Sequence, residues 1–116
     1  MRFLVMVKAS PESESAGLQP SAAELAEMGK FNERLMEDGR IVLVEGLTAS
    51  SEGVRVVFEG KAEPKVIDGP FTETKELVAG FWVLNGDSLE DVVALMKQAP
   101  NPEAQGGVME IRAIAE

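Results

Sequence analysis

The order of helix and strand patterns along the 116 residues predicts an α+β fold with one antiparallel sheet. Two segments, 21–39 and 88–100, carry apolar residues at helical spacing, and the apolar runs around them are typical of strands. The resulting order is strand, helix, strand, an inserted ribbon, strand, helix, strand. That order is the split β-α-β pattern of a ferredoxin-like sandwich, in which two helices cover one face of the sheet.

The strongest strand patterns lie at residues 2–8 and 77–84, where both alternating sets of side chains are apolar. A strand that is apolar on both faces is usually central in its sheet, so we expect these two in the middle. The remaining strands are predicted at residues 41–44 and 108–114, with an inserted ribbon of 54–58 and 65–67 around Glu59-Gly60. Polar loops are predicted at residues 9–20 and 46–53.

The first helix is predicted to begin at Ser21, because Glu24 follows three residues later at the spacing of a capping box. Gly39 is a natural stop, since glycine readily adopts the left-handed conformation that ends many helices. The buried stripe of this helix is expected to comprise Leu25, Met28, Phe31, Leu35 and Met36.

The second helix is predicted to begin after Ser88 as its cap, with Asp91 as a weaker capping-box partner, and to end at Pro100. Its buried stripe is expected to comprise Leu89, Val92, Val93 and Met96. The methionines at helical spacing are expected to serve packing rather than ligand binding: Met28, Met36 and Met96.

Composition excludes several kinds of site. The chain has no His, Cys or Tyr, so it cannot itself supply a catalytic imidazole, a thiolate, a phenolic acid or an ordinary zinc site. Its 20 carboxylates against 11 bases give a net charge of -9, which disfavours binding to a nucleic-acid backbone. We therefore expect no nucleic-acid partner and no cofactor. A hard-cation site built from Asp and Glu is possible in principle, but no loop has calcium-ligand spacing, so we expect no metal.

The apolar runs are too short for export or membrane signals. The run at residues 1–8 lacks the length and the small-residue cleavage site of a signal peptide. The longest later run, 77–84, is less than half the length that spans a bilayer, and the absence of Cys fits a reducing compartment. These features predict a single cytoplasmic domain, residues 1–116, without a membrane partner.

The apolar content of the central strands predicts a protein partner. Two helices cover only one face of such a sheet, so the other face would show an apolar patch larger than soluble monomers usually tolerate. A homodimer in which two sheets meet face to face and enclose a cavity would bury that patch. The alternative is that the loop at 9–20 or the loop at 46–53 folds back over this face.

The most distinctive stretch, residues 66–76, reads VIDGPFTETKE. Its Asp68-Gly69-Pro70 segment is typical of a turn, because Asp accepts nearby N–H groups, Gly permits positive φ and Pro fixes the exit. The stretch resembles the signature of the DGPF subfamily of YCII-related proteins, and the resemblance extends over essentially the whole chain. Further matching segments are 4–8, 45–47, 78–82, 100–102 and 107–111.

This resemblance implies a ferredoxin-like fold that dimerises into an α/β barrel with a cleft in each protomer, and it implies no settled reaction. Some members of the family are encoded beside extracytoplasmic-function sigma factors, which points to regulation. A better-described YCII branch has a His on the first helix and an Asp-Pro-aromatic turn after the second, proposed as a catalytic pair. Here the positions near Met28 and Gly29 hold no His and the later turn reads Pro100-Asn101-Pro102, so that chemistry is not carried over.

Asp68 is the first candidate for a polar site residue. In a functional role its carboxylate would act as a general base, or would accept a ligand hydroxyl or amine at the mouth of the cavity. In a structural role it would only tie its own turn. Thr72, Lys75 and Glu76 follow closely and would add a hydroxyl, a cation and a second carboxylate. Their alternative role is a solvated entry to the next strand.

Further candidates lie on or beside the strands. Lys8 and Arg112, together with Glu110, place charge near the cavity wall if their strand faces are the uncovered ones, and there they would be paired or bind an anion such as a carboxylate. Otherwise they are the charges of an edge strand in water. Trp82 would stack a ligand or fill the core or an interface, and Glu45 is a candidate at the end of its strand.

Two functions are compatible with these residues. In the first, a cytoplasmic homodimer binds a small organic molecule in its interface cavity, with Asp68 as the acid or base of a cofactor-free enzyme. In the second, the protein is a non-catalytic regulatory or protein-interaction module, with the link to an extracytoplasmic-function sigma factor that the resemblance implies. The polar cluster at 68–76 favours the first hypothesis, and the missing catalytic residue types favour the second.

Overall fold

The computed structural model describes residues 1–15, 22–71, 77–100 and 107–116, and the elements named below lie in those ranges. Apart from the short helix α1 and a 3₁₀ turn, the strands and longer helices follow one another in the predicted order. Their bounds are β1 Arg2–Lys8, α1 Pro11–Ser15, α2 Ala22–Glu37, β2 Ile41–Gly46, a 3₁₀ turn at Ser50–Glu52, β3 Val54–Val57, β4 Lys65–Asp68, β5 Val78–Asn85, α3 Leu89–Met96 and β6 Met109–Ala113. The predicted α+β class, with an antiparallel sheet and two longer helices, is confirmed.

Four strands form the main sheet in the order β2-β5-β1-β6, with every neighbouring pair antiparallel. Strand β5 therefore lies between β1 and β2 and runs opposite to both. The two central strands, β1 and β5, are those whose residues are apolar on both faces, as predicted. Interior strands have hydrogen-bonded neighbours on both sides. Their backbone N–H and C=O groups are therefore paired, and they leave no exposed sheet edge.

The hydrophobic core lies between the main sheet and helices α2 and α3. Phe3 and Val5 of β1 are fully buried and stand opposite Leu84 and Trp82 of β5 on the helix-facing side. Phe31 contributes an edge-to-face contact with Trp82, at 6.3 Å between ring centroids. The complete buried cluster is Phe3, Val5, Phe31, Leu35, Trp82, Leu84, Val92 and Met96.

Helix α2 buries a narrower stripe than its sequence predicts. Phe31 and Leu35 are buried and Met28 packs partly against the core, but Leu25 and Met36 are 58% and 65% exposed. Since a helix advances about 100° per residue, both exposed side chains lie more than a quarter turn away from the direction that the buried pair shares. The prediction that Leu25 and Met36 are core residues is wrong.

The end of α2 is the one that the sequence predicts. Gly39 adopts a φ of 71°, and the amide N–H groups of Gly39 and Arg40 donate to the carbonyls of Met36 and Leu35 at 3.0 and 2.8 Å. These bonds satisfy carbonyls of the last turn that have no partner within the helix. The predicted cap at Ser21 lies outside the described residues.

Helix α3 begins as predicted but ends early. The Ser88 hydroxyl accepts the Asp91 N–H at 3.1 Å, which is the predicted N-cap. The helix stops at Met96 and continues as a tight turn to Ala99, so Pro100 follows its end rather than causing it. Leu89 is 46% exposed, contrary to the predicted stripe, because two helical turns place only Val92 and Met96 over the sheet.

The segment predicted as a polar loop at 9–20 contains a one-turn helix, α1 Pro11–Ser15. Ser10 and Ser13 cap it reciprocally, each backbone N–H donating to the other's hydroxyl at 3.0 Å. Proline at the first helical position needs no hydrogen-bond acceptor there and has a φ already suited to a helix. The prediction of a loop is therefore wrong for residues 11–15, where the sequence Ser10-Pro11 marks the start of a helix.

Strands β3 and β4 form a separate two-stranded ribbon, as predicted, with Val56 opposite Val66 and Val54 opposite Asp68. All four residues of β4 are exposed. The molecule measures 48 × 37 × 18 Å and has a radius of gyration of 16.0 Å, whereas a compact domain of this length has about 13 Å. The protomer is therefore flat and extended.

Candidate functional site

The face of the main sheet opposite the core, here called the open face, carries two rows of side chains that cross all four strands. Strand register aligns Glu45, Phe81, Met6 and Glu110 in the first row, and Leu43, Val83, Leu4 and Arg112 in the second. The central strands thus contribute four half-buried apolar side chains, and the edge strands contribute the charges. The open face is an apolar platform with polar ends.

The size of this platform follows from strand spacing. Glu45 and Glu110 are three strand intervals apart, which is about 14 Å between Cα atoms. Phe81 and Met6 occupy the span between these carboxylates. Arg112 and Glu110 therefore lie on the sheet face opposite the core.

Arg112 and Glu110 form only a loose ion pair. Their closest N···O distance is 4.0 Å, and 73% and 46% of their side-chain surfaces are exposed. An exposed pair at that distance contributes little to stability. The Arg112 guanidinium thus keeps several N–H donors available for an anionic group approaching the open face.

A second polar arrangement, here called the hub, connects α1, the 3₁₀ turn and the Gly69-Pro70-Phe71 turn. The Glu14 carboxylate accepts the Ser50 N–H at 3.0 Å and the Ser50 hydroxyl at 2.7 Å. The same Ser50 hydroxyl oxygen accepts the Phe71 N–H at 3.1 Å. Ser50 is therefore the shared centre of the hub, and it anchors the distinctive turn to the body of the protein.

Packing explains why the turn carries glycine at position 69. A Cβ there would overlap the Ser50 carbonyl oxygen and approach its carbonyl carbon to 2.7 Å. The Gly69 N–H donates to the Gly53 carbonyl at 2.9 Å, and the Arg55 guanidinium stacks over the Phe71 ring at 3.6 Å. The turn is thus held by backbone bonds and a cation–π contact on the side that faces the hub.

Asp68 lies at the base of the ribbon, on the ribbon face that also carries Val54, Val56 and Val66. Its side chain is exposed, and among the described residues it makes no hydrogen bond that would tie the turn. Instead, the Gly53 carbonyl and the Ser50 hydroxyl hold the turn by accepting the Gly69 and Phe71 N–H groups. Within the part of the chain that the structure describes, the Asp68 carboxylate is left exposed.

The other sequence candidates are dispersed. Trp82 lies on the core side of β5, 3% exposed, and its indole N–H donates to the Asn32 side-chain oxygen at 2.9 Å, so it occupies the place of a packing residue. Lys8 is half-buried at the end of β1, next to the start of α1. Glu45 and Arg112 are on the open face. Thr72, Lys75 and Glu76 lie outside the described residues.

No local pattern indicates the hub, because Glu14 and Ser50 are 36 residues apart and neither stands in a recognisable motif. Nor does one indicate the ion pair between Arg40 and Asp91, whose two N–H···O bonds are 2.8 and 3.0 Å long. That guanidinium, together with the Asp87 N–H, lowers the pKa of Asp91 to about 2, and the pairing raises the pKa of Arg40. The pair joins β2 to the start of α3, away from the open face.

Other surfaces of the described ranges offer less. A shallow depression on α3 is lined by residues of that helix and its C-cap, so no polar groups from distant elements converge there: Leu89, Glu90, Val93, Ala94 and Lys97. Within the described ranges, no cluster of three or more acidic side chains could hold a metal ion. None of the described helices is long and apolar enough to span a membrane.

The fold and the open face define an α+β protein in which, within the ranges that the structure describes, helices cover one side of the antiparallel sheet. The chain belongs to the YCII-related domain family, whose model matches residues 1–116. A curated relative from Rhizobium meliloti (strain 1021), an uncharacterised protein, is 25% identical over 91 residues, covering 78% of this chain and 73% of the relative.

A solved structure similar to this chain is the 5-chloro-2-hydroxyhydroquinone dehydrochlorinase TftG from Burkholderia phenoliruptrix AC1100, in complex with 2,5-dihydroxybenzoquinone. The TM-score is 0.56 at 16% sequence identity, and the match covers 99% of this chain and 94% of that one. At this identity the likeness concerns the fold. It shows that an enzyme is built on the same arrangement of strands and helices.

Proposed function

We propose that the protein is a homodimer that binds a small organic molecule between the open faces of its sheets, with Asp68 as the acid or base of a cofactor-free reaction. In this proposal the fold is a ferredoxin-like sandwich of the DGPF subfamily, two copies form an α/β barrel, and the protein works in the cytoplasm. The observation that carries the proposal is the pair of rows on the open face, with an apolar centre and charged ends.

The shape of the open face supports the ligand class. Four half-buried apolar side chains of β1 and β5 offer a surface on which a ring can lie, and charged groups at both edges would fix its orientation. Ligand sites commonly combine a mostly apolar lining with a few placed polar groups. TftG holds a dihydroxylated ring compound on the same fold, so we take hydroxylated ring compounds as the class to test.

The available chemistry supports Asp68 in the acid–base role. Without His, Cys or Tyr, the chain must use a carboxylate, a lysine or a hydroxyl for proton transfer. Asp68 combines an exposed carboxylate with a firmly anchored turn, since Gly69 and Phe71 are both hydrogen-bonded to the 3₁₀-turn region. A ligand hydroxyl within reach would donate its proton to that carboxylate.

Binding titrations with two probes test the ligand. Arg112→Ala should weaken binding of anionic 2,5-dihydroxybenzoquinone about tenfold, because it removes a charge-assisted contact. Asp68→Asn should weaken binding of neutral 1,4-hydroquinone about tenfold, because an ionised acceptor is lost. Lys30→Ala, an exposed cation on α2, is the control and should leave both affinities unchanged.

The titrations contradict the ligand proposal if wild-type protein binds neither probe, or if Asp68→Asn and Arg112→Ala bind both probes as wild type does. Light scattering on a sizing column tests the homodimer separately. The expected mass is twice the 12.5 kDa of one chain. A mass of 12.5 kDa at millimolar concentration would overturn the face-to-face arrangement.

A non-catalytic protein-interaction module is the second candidate function, and the exposed apolar side chains of the ribbon favour it. Val54, Val56 and Val66 are 58%, 53% and 65% exposed, as expected of a surface that docks on another protein. In this alternative the partner is an extracytoplasmic-function sigma factor. A pull-down at native salt that recovers the sigma factor with wild-type bait, and loses it with a Val56→Asp/Val66→Asp bait, is the expected result. Recovery of only the protein itself would contradict it.

A further inference from the structure

One face of the β3–β4 ribbon is apolar, exposed and unsupported by its own protomer. Val56 stands opposite Val66, Val54 stands opposite Asp68, and alternation adds Phe58 just beyond β3. We call Val54, Val56, Phe58 and Val66 the valine face; each of these side chains is at least half exposed, and Phe58 reaches 75%. A two-stranded ribbon that exposes such a face is at best marginally stable by itself.

The base of the ribbon is nevertheless fixed. The hub ties its two ends together, because Gly69 bonds to Gly53 and Phe71 bonds to Ser50. On the opposite ribbon face, Arg55 covers the Phe71 ring at this base. The ribbon is therefore an arm that is anchored at its base and exposes its valine face.

We infer that the valine face docks on a second copy of this chain, against the exposed apolar residues of the edge strand β2 and its exit. Val42, Leu43 and Leu47 are 49%, 44% and 50% exposed there, and β2 has hydrogen-bonded neighbours on one side only. This inference rests on the proposed homodimer and names the surface that holds it together.

Symmetry favours a second copy as the occupant. In a two-fold dimer each subunit must present both the docking surface and its complement on one continuous patch. The ribbon and β2 suit this requirement, because only residues 47–53 separate them along the chain. The arm of each subunit would then lie on β2 of the other subunit.

Charge and area support the same occupant. Residues 54–68 contain three bases (Arg55, Lys61, Lys65) and three acids (Glu59, Glu63, Asp68), so the arm is neutral within a chain of net charge -9. A neutral arm approaches a second acidic copy without the repulsion that other surfaces would meet. The arm and the β2 region together expose seven large apolar side chains, and a standard interface buries about 800 Å² from each partner.

Docking would also change the surroundings of Asp68. That carboxylate stands at the margin of the valine face, opposite Val54, and is exposed in the protomer. In the dimer it would lie at the boundary between two copies rather than in bulk water. The interaction surface would therefore complete the proposed site as well as join the subunits.

A double variant tests the inference by light scattering. Val56→Asp/Val66→Asp should reduce the mass from twice 12.5 kDa to 12.5 kDa at concentrations where wild-type protein is a dimer. Leu25→Asp, with a 58% exposed side chain on α2, is the matched control and should remain dimeric. Far-ultraviolet circular dichroism and Trp82 fluorescence verify that each variant is folded.

A second measurement uses the absence of cysteine in the native chain. In Val66→Cys, the rate of thiol alkylation should fall about tenfold or more as the protein concentration rises through the dimerisation range. The exposed α3-end control Gln98→Cys should react at one rate throughout. A wild-type dimer with unchanged mass in the double variant and an unchanged Val66→Cys rate would overturn the arm and leave the homodimer intact. A monomeric wild type would overturn both.

Discussion

The main sheet and the ribbon bury the same type of side chain to very different extents, as Phe3 and Phe58 show. Phe3 is fully buried between the main sheet and its helices, and Phe58 is 75% exposed beyond the end of β3. Both follow strand-like alternation in the sequence. The difference arises because the main sheet has a helical layer on one side, whereas none of the described residues forms a second layer over the ribbon.

This contrast divides the chain into a part that stabilises the protomer and a part available for other molecules. Burial of a large apolar side chain contributes a few kcal/mol, so the core of eight side chains carries most of the favourable free energy. The open face and the valine face contribute less within one protomer. They are the surfaces on which the proposed association and ligand binding depend.

The largest expected effect comes from truncating the two phenylalanines. Phe3→Ala should lower the free energy of unfolding by about 3–5 kcal/mol, because it leaves a cavity in a closed core. Phe58→Ala should change it by less than about 0.5 kcal/mol in dilute protein, where the protomer stands alone. Urea denaturation followed by Trp82 fluorescence measures both. Equal losses in dilute solution would show that the ribbon is packed within its own protomer.

A smaller effect is expected at the boundary between the two regions. Gly69→Ala should cost about 1–3 kcal/mol, because the added methyl group overlaps the Ser50 carbonyl and must displace the turn. Amide exchange of Gly69 and Phe71 should become faster as their bonds to the hub weaken.

Gly46→Ala is the matched control for that substitution, since nothing lies within 4 Å of its added Cβ. It should leave stability within about 0.5 kcal/mol of wild type and the exchange of both amides unchanged. If Gly69→Ala behaved in the same way, the tight contact between the turn and the 3₁₀ turn would not exist in solution.

The smallest effect on stability is expected for the ion pair between Arg40 and Asp91, which links the residue before β2 to α3. The pKa of Asp91 is lowered to about 2 from an ordinary value of 3.8, so the folded protein favours the ionised carboxylate. The resulting stability is fully present above pH 4 and is lost as the pH falls through 2. Asp91→Asn should therefore be less stable than wild type at pH 7, and the difference should disappear near pH 2.

Thermal unfolding of both proteins between pH 7 and pH 2 measures this difference. Asp87→Asn is a suitable control, since the Asp87 backbone N–H, and not its carboxylate, bonds to Asp91. A gap between wild type and Asp91→Asn that stays constant down to pH 2 would mean that the stabilisation does not depend on ionisation of Asp91.

Local patterns proved most informative where they depend on neighbouring residues. The strand at Arg2–Lys8, the stop at Gly39 and the cap at Ser88 were all predictable, because alternation and capping involve only a few consecutive positions. Predictions of burial were wrong where burial depends on a surface from a distant part of the chain. Met36 is apolar and stands at nearly helical spacing, yet it does not face the sheet and is exposed.

The candidate site likewise combines residues that local patterns indicate with residues that only the fold brings together. The placement of Glu45 and Arg112 on one face depended on strand order, which brings β2 and β6 to opposite edges of the sheet. Trp82 could equally have stacked a ligand, and only the fold directs it towards Phe31 and Asn32. Asp68 was found through its turn, whereas the residues that hold this turn came from far along the chain.

Composition and short-range periodicity were sufficient to predict the α+β class, the central place of β1 and β5 and the absence of imidazole, thiol and phenol chemistry. Only the fold shows which apolar side chains are buried, that Ser50 joins three segments, and that the ribbon exposes its valine face. Those outcomes depend on contacts between residues far apart in the chain, and a local pattern carries no information about the surface that will lie opposite it.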